Sequence, residues 1–315
     1  MAVNADDSDD SRIVEGGVIP GGAGAAFTLQ SPLAFAIPVL IAVPHAGRAY
    51  PGSVLAHMRD PEFAWRRLED RYADELARQV AEQSGAGLLV AHAPRAMIDL
   101  NRAPDDVDWD MIGGALNHAS RHSHANRRAR SGLGIIPRRL PSYGEIWRGP
   151  ISQGELDARI EEIHSPYHRT LAQEVEAIRD IWGTALLLDL HSMPPLKRRF
   201  GCEQSPQVVL GDRFGASCDG SLASRALIYL DRHGCTVAHN RPYSGGYVLE
   251  RHAAPRRGLH ALQLEICRTA YLDDSLDQPS AGLPIIANMI AGLVRELADT
   301  TTRLGQGINY PQAAE

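Results

Sequence analysis

Three apolar runs in this chain end on a residue that can ligate a metal or move a proton: Val39 to His45, Ala185 to His191 and Ala261 to Glu265. Neutral imidazoles combined with a carboxylate and one open position make a catalytic zinc site. In α/β proteins the loops leaving the C-terminal ends of buried strands converge on a ligand. Histidines and a glutamate delivered there point to a metal-centred active site, and so to an enzyme. Pro44 fixes the turn into His45, and Gly47 lets the backbone approach a neighbour closely. Either histidine alone serves equally well as a hydrogen-bonded support or a cap, so the repetition carries the inference.

Other carboxylates sit where they could join this chemistry. Asp189 lies two residues before His191, on the same side of an extended strand, where it can orient a ligand ring or close a structural salt bridge. Glu265 shares a strand face with Ala261, Gln263 and Cys267, and a buried carboxylate there needs a partner or a task. Arg268 could supply only the partner. Asp70 and Asp74 stand one helical turn apart, as a ligand and its support or as part of a solvated face with Arg66, Arg67 and Arg71.

The elements that must position these groups follow from hydrophobic period. Val39–Val43 reads as the first core strand, Leu88–His92 as a second continued or followed by Met97–Leu100, and Ala185–Asp189 as the clearest buried strand. Later strands are expected at Gln207–Leu210, Thr236–His239 and Leu262–Ile266. Phe63, Leu68, Tyr72, Leu76 and Val80 predict one helix from Pro61 to Gln83. Gly154–Trp182 is the longest helical stretch, with Pro166 able to kink or divide it, and a terminal helix spans Leu283–Leu297. Residues 1–24 lack a period and are expected to be a mobile tail, leaving 25–315 as a single domain. The alternation of strands and helices means an α/β fold with a mostly parallel or mixed sheet.

Composition narrows the function classes. The 315 residues are 44% apolar and 22% charged, with a formal charge of −6, which gives no electrostatic reason to expect nucleic acid or an anionic membrane as partner. No apolar run approaches the length of a membrane span, and the acidic start Asp6 to Asp10 is unlike a signal peptide. The expected location is the cytoplasm. Cys202, Cys218, Cys235 and Cys267 form no CxxC pair and read as reduced thiols. The segment His118–Arg139, with three histidines and six arginines, reads as a solvated loop near an acidic substrate or as a subunit contact, and nothing else bears on oligomeric state. Its His118, His122 and His124 have no carboxylate or cysteine ligand beside them.

Five ordered motifs carry a resemblance: Val43-Pro-His-Ala-Gly-Arg-Ala-Tyr-Pro51, Ile98-Asp-Leu-Asn-Arg102, Leu188-Asp-Leu-His-Ser192, Asn240-Arg-Pro-Tyr-Ser-Gly-Gly246 and Leu262-Gln-Leu-Glu-Ile266. Together they resemble the N-formylglutamate amidohydrolase (deformylase) family, which is related to the zinc carboxypeptidases and to aspartoacylase and succinylglutamate desuccinylase. The resemblance runs from about Val39 to Met289. It implies a three-layer α/β/α fold of the zinc-carboxypeptidase (phosphorylase/hydrolase-like) kind with a mixed, mostly parallel sheet. It further implies a Zn²⁺ cofactor, an N-acyl acidic amino acid as small-molecule substrate, and a place in histidine degradation.

By position, the resemblance puts the metal ligands on His45 and His191, with the intervening carboxylate on the segment Glu69–Leu76. Asp70 is the choice there and Asp74 the alternative. The HxxE spacing of the carboxypeptidases is absent, because position 48 is Arg. Glu265 falls on the general base and acid. Asn101-Arg102 resembles the pair that holds a substrate carboxylate, for which a guanidinium offers a bidentate fork, and Arg95 resembles the arginine that stabilises the oxyanion. Asn240, Arg241 and Tyr243 could form a second anion-recognising corner, although a salt bridge accounts for Arg241 as well. His168 also resembles a family position, as a support for the site or a packed helix histidine.

Overall fold

The computed structural model describes residues 11–113, 129, 131–140, 143–197 and 205–308. Asp6 to Asp10, His118, His122, His124 and Cys202 lie outside the described residues. The strands in chain order are β1 (Ser11–Gly16), β2 (Phe27–Pro32), β3 (Val39–Val43), β4 (Gly87–Ala91), the short β5 (Ile112–Gly113), β6 (Arg139–Leu140), β7 (Gly144–Glu145) and β8 (Ile151–Ser152), then β9 (Ala185–Met193), β10 (Val208–Gly211), β11 (Val237–His239) and β12 (Leu259–Cys267). The helices are α1 (Gly52–His57), α2 (Pro61–Leu68), α3 (Ala73–Ser84), α4 (Gln153–Arg159), α5 (Ser165–Trp182), α6 (Gly220–Arg232), α7 (Tyr247–His252) and α8 (Gly282–Ile308).

Eight strands make one sheet in the order β1-β2-β4-β3-β9-β12-β10-β11. The centre is parallel, β4 with β3, β3 with β9 and β9 with β12, while β1, β2 and β10 join by antiparallel pairings. This is the mixed, mostly parallel sheet expected, covered by helices on both faces. The period of two along each buried strand assigns its side chains to two cores. Leu40, Ala42, Leu187 and Ala261 pack with Leu171, Val175 and Ile178 of α5 on one face. Val39, Ile41, Leu188 and Leu264 pack with Val80 of α3, Leu222 of α6 and Val294 of α8 on the other.

Three expectations change. Ser11–Gly16 is not part of a mobile tail but an edge strand, because its backbone pairs with β2 residue by residue from Ser11↔Pro32 to Gly16↔Phe27, an interaction that exposed side chains do not reveal in sequence. The helix predicted over Pro61–Gln83 is broken between Leu68 and Ala73, with Tyr72 left-handed at φ 56°. Met97–Leu100 is a turn rather than a strand. Near Pro166, α4 passes into α5 through a π-helical turn at Ile160–His164, and the Glu162 carbonyl that the proline cannot serve accepts from Val18 N at 2.9 Å. The helical run from Gln153 to Trp182 is unbroken and longer than α8, as its sequence leads one to expect.

Candidate metal centre and active site

The face of β9 and β12 that packs on α5 is apolar at Ala185, Leu187, Leu259 and Ala261 and turns polar at Asp189, His191, Gln263 and Glu265. The two strands run parallel in a register that sets Gln263 beside Asp189 and Glu265 beside His191. That switch from apolar to polar along one face is how the sheet stops being core and becomes a site.

His45 reaches the same place from the end of β3. The turn beyond it lies against the chain leaving β4, where Ala49 N donates to His92 O at 3.0 Å. A Cβ on Gly47 would stand 2.1 Å from Ala93 O, so the close approach expected of that glycine is present. Asp70 arrives from the break between α2 and α3. Its backbone N–H donates to His45 O at 2.9 Å, and Arg268 holds the break open by donating to the carbonyls of Arg66 and Glu69. The interruption that a continuous amphipathic pattern concealed is therefore what delivers this carboxylate.

One ligand atom from each of His45, Asp70 and His191 lies within 4.8 Å of the others, and all three residues are buried. His45 Nε2 donates to Asp99 Oδ1 at 2.7 Å, and His191 Nε2 donates to Asp189 Oδ2 at 2.9 Å. Those bonds leave both Nδ1 atoms as lone-pair donors facing Asp70 Oδ2, at 3.6 Å from His45 and 3.0 Å from His191. His45 Nδ1 is buried with no hydrogen-bond partner among the described residues. Three converging acceptors repel one another unless a cation sits among them, and imidazoles backed by carboxylates are the usual setting of a metal. The donor set therefore fits a divalent ion.

The electrostatics favour positive charge at this point, whether a proton or a metal ion supplies it. Burial works against a charge on Asp70, but the imidazoles of His191 and His45 outweigh it and hold the carboxyl well below its ordinary range. Burial also opposes charge on His191, yet Asp189 and Asp70 raise its pKa well above the usual value. Asp74 does not share the site: it pairs with Arg48 at 2.9 Å and Arg78 at 3.4 Å.

A cavity of about 150 Å³ opens over the trio, lined by His45, Asp70, His191, Arg95, Asn101, Arg102, Tyr243, Gln263 and Glu265 among others. Burial raises the Glu265 carboxyl to about 8, against the opposing pull of His191. Its near neighbour is Gln263, whose Nε2 donates to Glu265 Oε1 at 2.9 Å, and not Arg268, which serves Ser192 and Asp70. Arg95 donates through Nε to Asp99 Oδ2 at 3.0 Å. Asn101 Oδ1 accepts from Val248 N at 2.9 Å, its amide nitrogen lies 3.3 Å from His191 Nε2, and Gly246 leaves room for it, since a Cβ there would stand 2.4 Å from Asn101 Oδ1. Burial raises the Tyr243 phenol.

Asn240 and Arg241 are not among the residues lining the cavity. The Asn240 side chain is consumed in the fold, accepting from Asp212 N at 3.0 Å and donating to Asp212 Oδ1 at 2.6 Å, and Arg241 is exposed. The same motif reaches the cavity through Pro242, Tyr243, Ser244 and Gly245 instead. His168 supports the site from behind: its Nε2 donates to Leu100 O at 2.9 Å, next to Asn101, while Nδ1 lies 2.9 Å from His252 Nε2. Sequence reasoning missed Asp99 as a joint partner of His45 and Arg95, although its place two residues before Asn101-Arg102 was visible. It also gave Gln263 no role.

Residues 37–272 match the N-formylglutamate amidohydrolase family. The chain is similar to the N-formylglutamate deformylases of Pseudomonas putida, 30% identical over 76% of this chain and 83% of the relative, and of Pseudomonas aeruginosa, 29% identical over 86% and 94%. Among solved structures it is similar to an N-formylglutamate amidohydrolase from Ralstonia eutropha JMP134, with a TM-score of 0.78 and 29% identity over 88% of this chain and 99% of that one. A protein from Agrobacterium tumefaciens shares the fold at a TM-score of 0.62 and 18% identity.

Proposed function

The chain belongs to the N-formylglutamate amidohydrolase family, and from that premise we propose that it hydrolyses N-formyl-L-glutamate to formate and L-glutamate at a zinc centre held by His45, Asp70 and His191. The observation that carries this reading is the junction, in one cavity of about 150 Å³, of that trio with the buried carboxyl of Glu265 and the guanidinium groups of Arg95 and Arg102. A zinc ion held by these three residues would supply a Lewis acid and a means of activating water near neutral pH.

The protein's own groups do the rest. Glu265 takes a proton from the attacking water and returns it to the nitrogen as the C–N bond breaks, a task suited to a carboxyl that burial has moved to about 8. Arg95, fixed at one edge by Asp99, faces the negative charge that grows on the carbonyl oxygen. Arg102, steadied by donation from Nε to Leu133 O and from Nη1 to Asn101 O at 3.1 Å, supplies the positive charge for a substrate carboxylate, Asn101 adds a directional amide, and Tyr243 lines the same cavity. The small cavity favours a compact acyl group, and formyl is the smallest. We read residues 11–308 as one amidohydrolase domain, its edge strand β1 included, and place it in the cytoplasm, where the free thiols of Cys218, Cys235 and Cys267 stay reduced. Among the described residues no helix is long and apolar enough to cross a membrane.

The test is product release by the zinc-loaded protein from N-formyl-L-glutamate beside N-formyl-aspartate, N-acetyl-glutamate and N-succinyl-glutamate. Preferential turnover of the first supports the proposal. Absence of turnover of the first, with clear hydrolysis of another, moves the enzyme to that other specificity.

A further inference from the structure

Gln263 is 4% exposed and lines the catalytic cavity. Its Nε2 donates to Glu265 Oε1 at 2.9 Å, while its Oε1 is buried without a hydrogen-bond partner among the described residues. The N–H end of the amide stands on Glu265, the orientation suited to the carboxylate form in which Glu265 acts as base. That leaves a carbonyl oxygen with lone pairs unsatisfied in a buried place, which is costly until something donates to it.

An N-acyl acidic amino acid has few donors. Its carboxylates and acyl oxygen all accept, and the scissile amide N–H is its sole donor. We propose that Gln263 contacts the substrate directly, its Oε1 accepting the hydrogen bond of the scissile amide N–H while its Nε2 holds Glu265 beside the same nitrogen. The inference rests on the amidohydrolase reading above. The contact tightens as reaction proceeds. When the C–N bond breaks, its electron pair stays on nitrogen, which takes the proton from Glu265, and the amine that forms donates more strongly as it gains positive charge. An acceptor whose bond strengthens along the reaction lowers the barrier rather than only adding affinity. The same atom makes the enzyme choosy, because a substrate without the N–H leaves Oε1 unsatisfied and sets it against another lone pair.

The experiment compares kcat/KM for N-formyl-L-glutamate with that for the ester analogue O-formyl-L-2-hydroxyglutarate, in which oxygen replaces the N–H, after subtraction of the spontaneous rate. The zinc-loaded wild type, Gln263→Met and Gln263→Glu are measured, with zinc content and circular dichroism as checks on the fold. Gln263→Met loses both contacts, so both substrates slow, and the amide-to-ester ratio should fall about tenfold, as for one lost hydrogen bond. Gln263→Glu keeps an acceptor but loses the donor to Glu265, so its rate falls while the ratio holds. A ratio unchanged in Gln263→Met, or one that collapses equally in Gln263→Glu, overturns the contact and leaves Gln263 only as a support for Glu265. A wild type that hydrolyses neither compound overturns the deformylase reading itself. A wild type active on the amide with an unchanged ratio overturns the Gln263 contact alone.

Discussion

Asp99 Oδ1 lies 2.7 Å from His45 Nε2, and both side chains are buried. The other oxygen of Asp99 accepts from Arg95 Nε at 3.0 Å, so one carboxylate orients a candidate metal ligand and an arginine of the same cavity together. The charges of Arg95 and Arg102 and the hydrogen bond from His45 more than offset the burial that would raise its pKa, and it stays ionised.

Replacing Asp99 with Ala should therefore injure two functions at once. Zinc affinity should fall by about 10–100-fold, the usual effect of removing the partner of a ligating histidine. Excess zinc should restore occupancy but not kcat, because Arg95 has lost its anchor. Chelator competition followed by rate measurement at saturating metal checks this. Full recovery of kcat with occupancy would confine Asp99 to His45.

Glu265→Gln should retain zinc and fold while kcat falls by about 10²–10⁴-fold, since an amide cannot carry the proton from water to nitrogen. The substituted side chain would still meet Gln263 and keep the volume of the site. Metal content beside turnover decides it: zinc lost in proportion to activity would mean that Glu265 belongs with the ligands.

Arg95 and Arg102 should separate kinetically although both line the cavity. Arg95→Ala should lower kcat by about 10²–10³-fold with little change in KM, as expected for a donor whose bond matters most in the transition state. Arg102→Ala should act mainly through KM, because a carboxylate is held equally before and during reaction. Identical profiles for the two variants would reject the division of labour.

The legible parts of this molecule are those governed by local period. β3, β9 and β12 announce themselves as apolar runs, and the residues that end or interrupt them, His45, His191 and Glu265, are the polar departures from the pattern. What depends on long-range pairing was hidden. β1 exists because β2 offers it a partner. The break at Asp70 exists because His45, Arg268 and Tyr271 take up the backbone groups a helix would have used. Asn240 looked like a ligand-binding residue because its type and neighbours suit that task, yet Asp212 occupies its amide. The choice of Asp70 over Asp74 likewise could not be read from spacing, since the arginines that engage Asp74 come from both the His45 turn and α3 itself.

The last prediction concerns acid. Burial drives the His252 imidazole down to about 3, and burial, with repulsion from Arg251 and from any proton on His164 or His252, drives His168 well below its ordinary value. Both rings are neutral in the folded protein, with His168 spanning Leu100 O and His252. In the unfolded chain each binds a proton near pH 6.5. Below that pH the unfolded state holds more protons than the folded one, so stability is full above about 6.5 and is lost as pH falls toward 3, by up to about 1.4 kcal/mol per pH unit for each ring. For His252 alone the loss between pH 7.5 and 5 is about 2 kcal/mol. Urea unfolding of wild type and His252→Gln at the two pH values checks it. The variant should be less sensitive to the change, whereas parallel losses in both proteins would show that His252 is already protonated in the fold and that the acid response arises elsewhere.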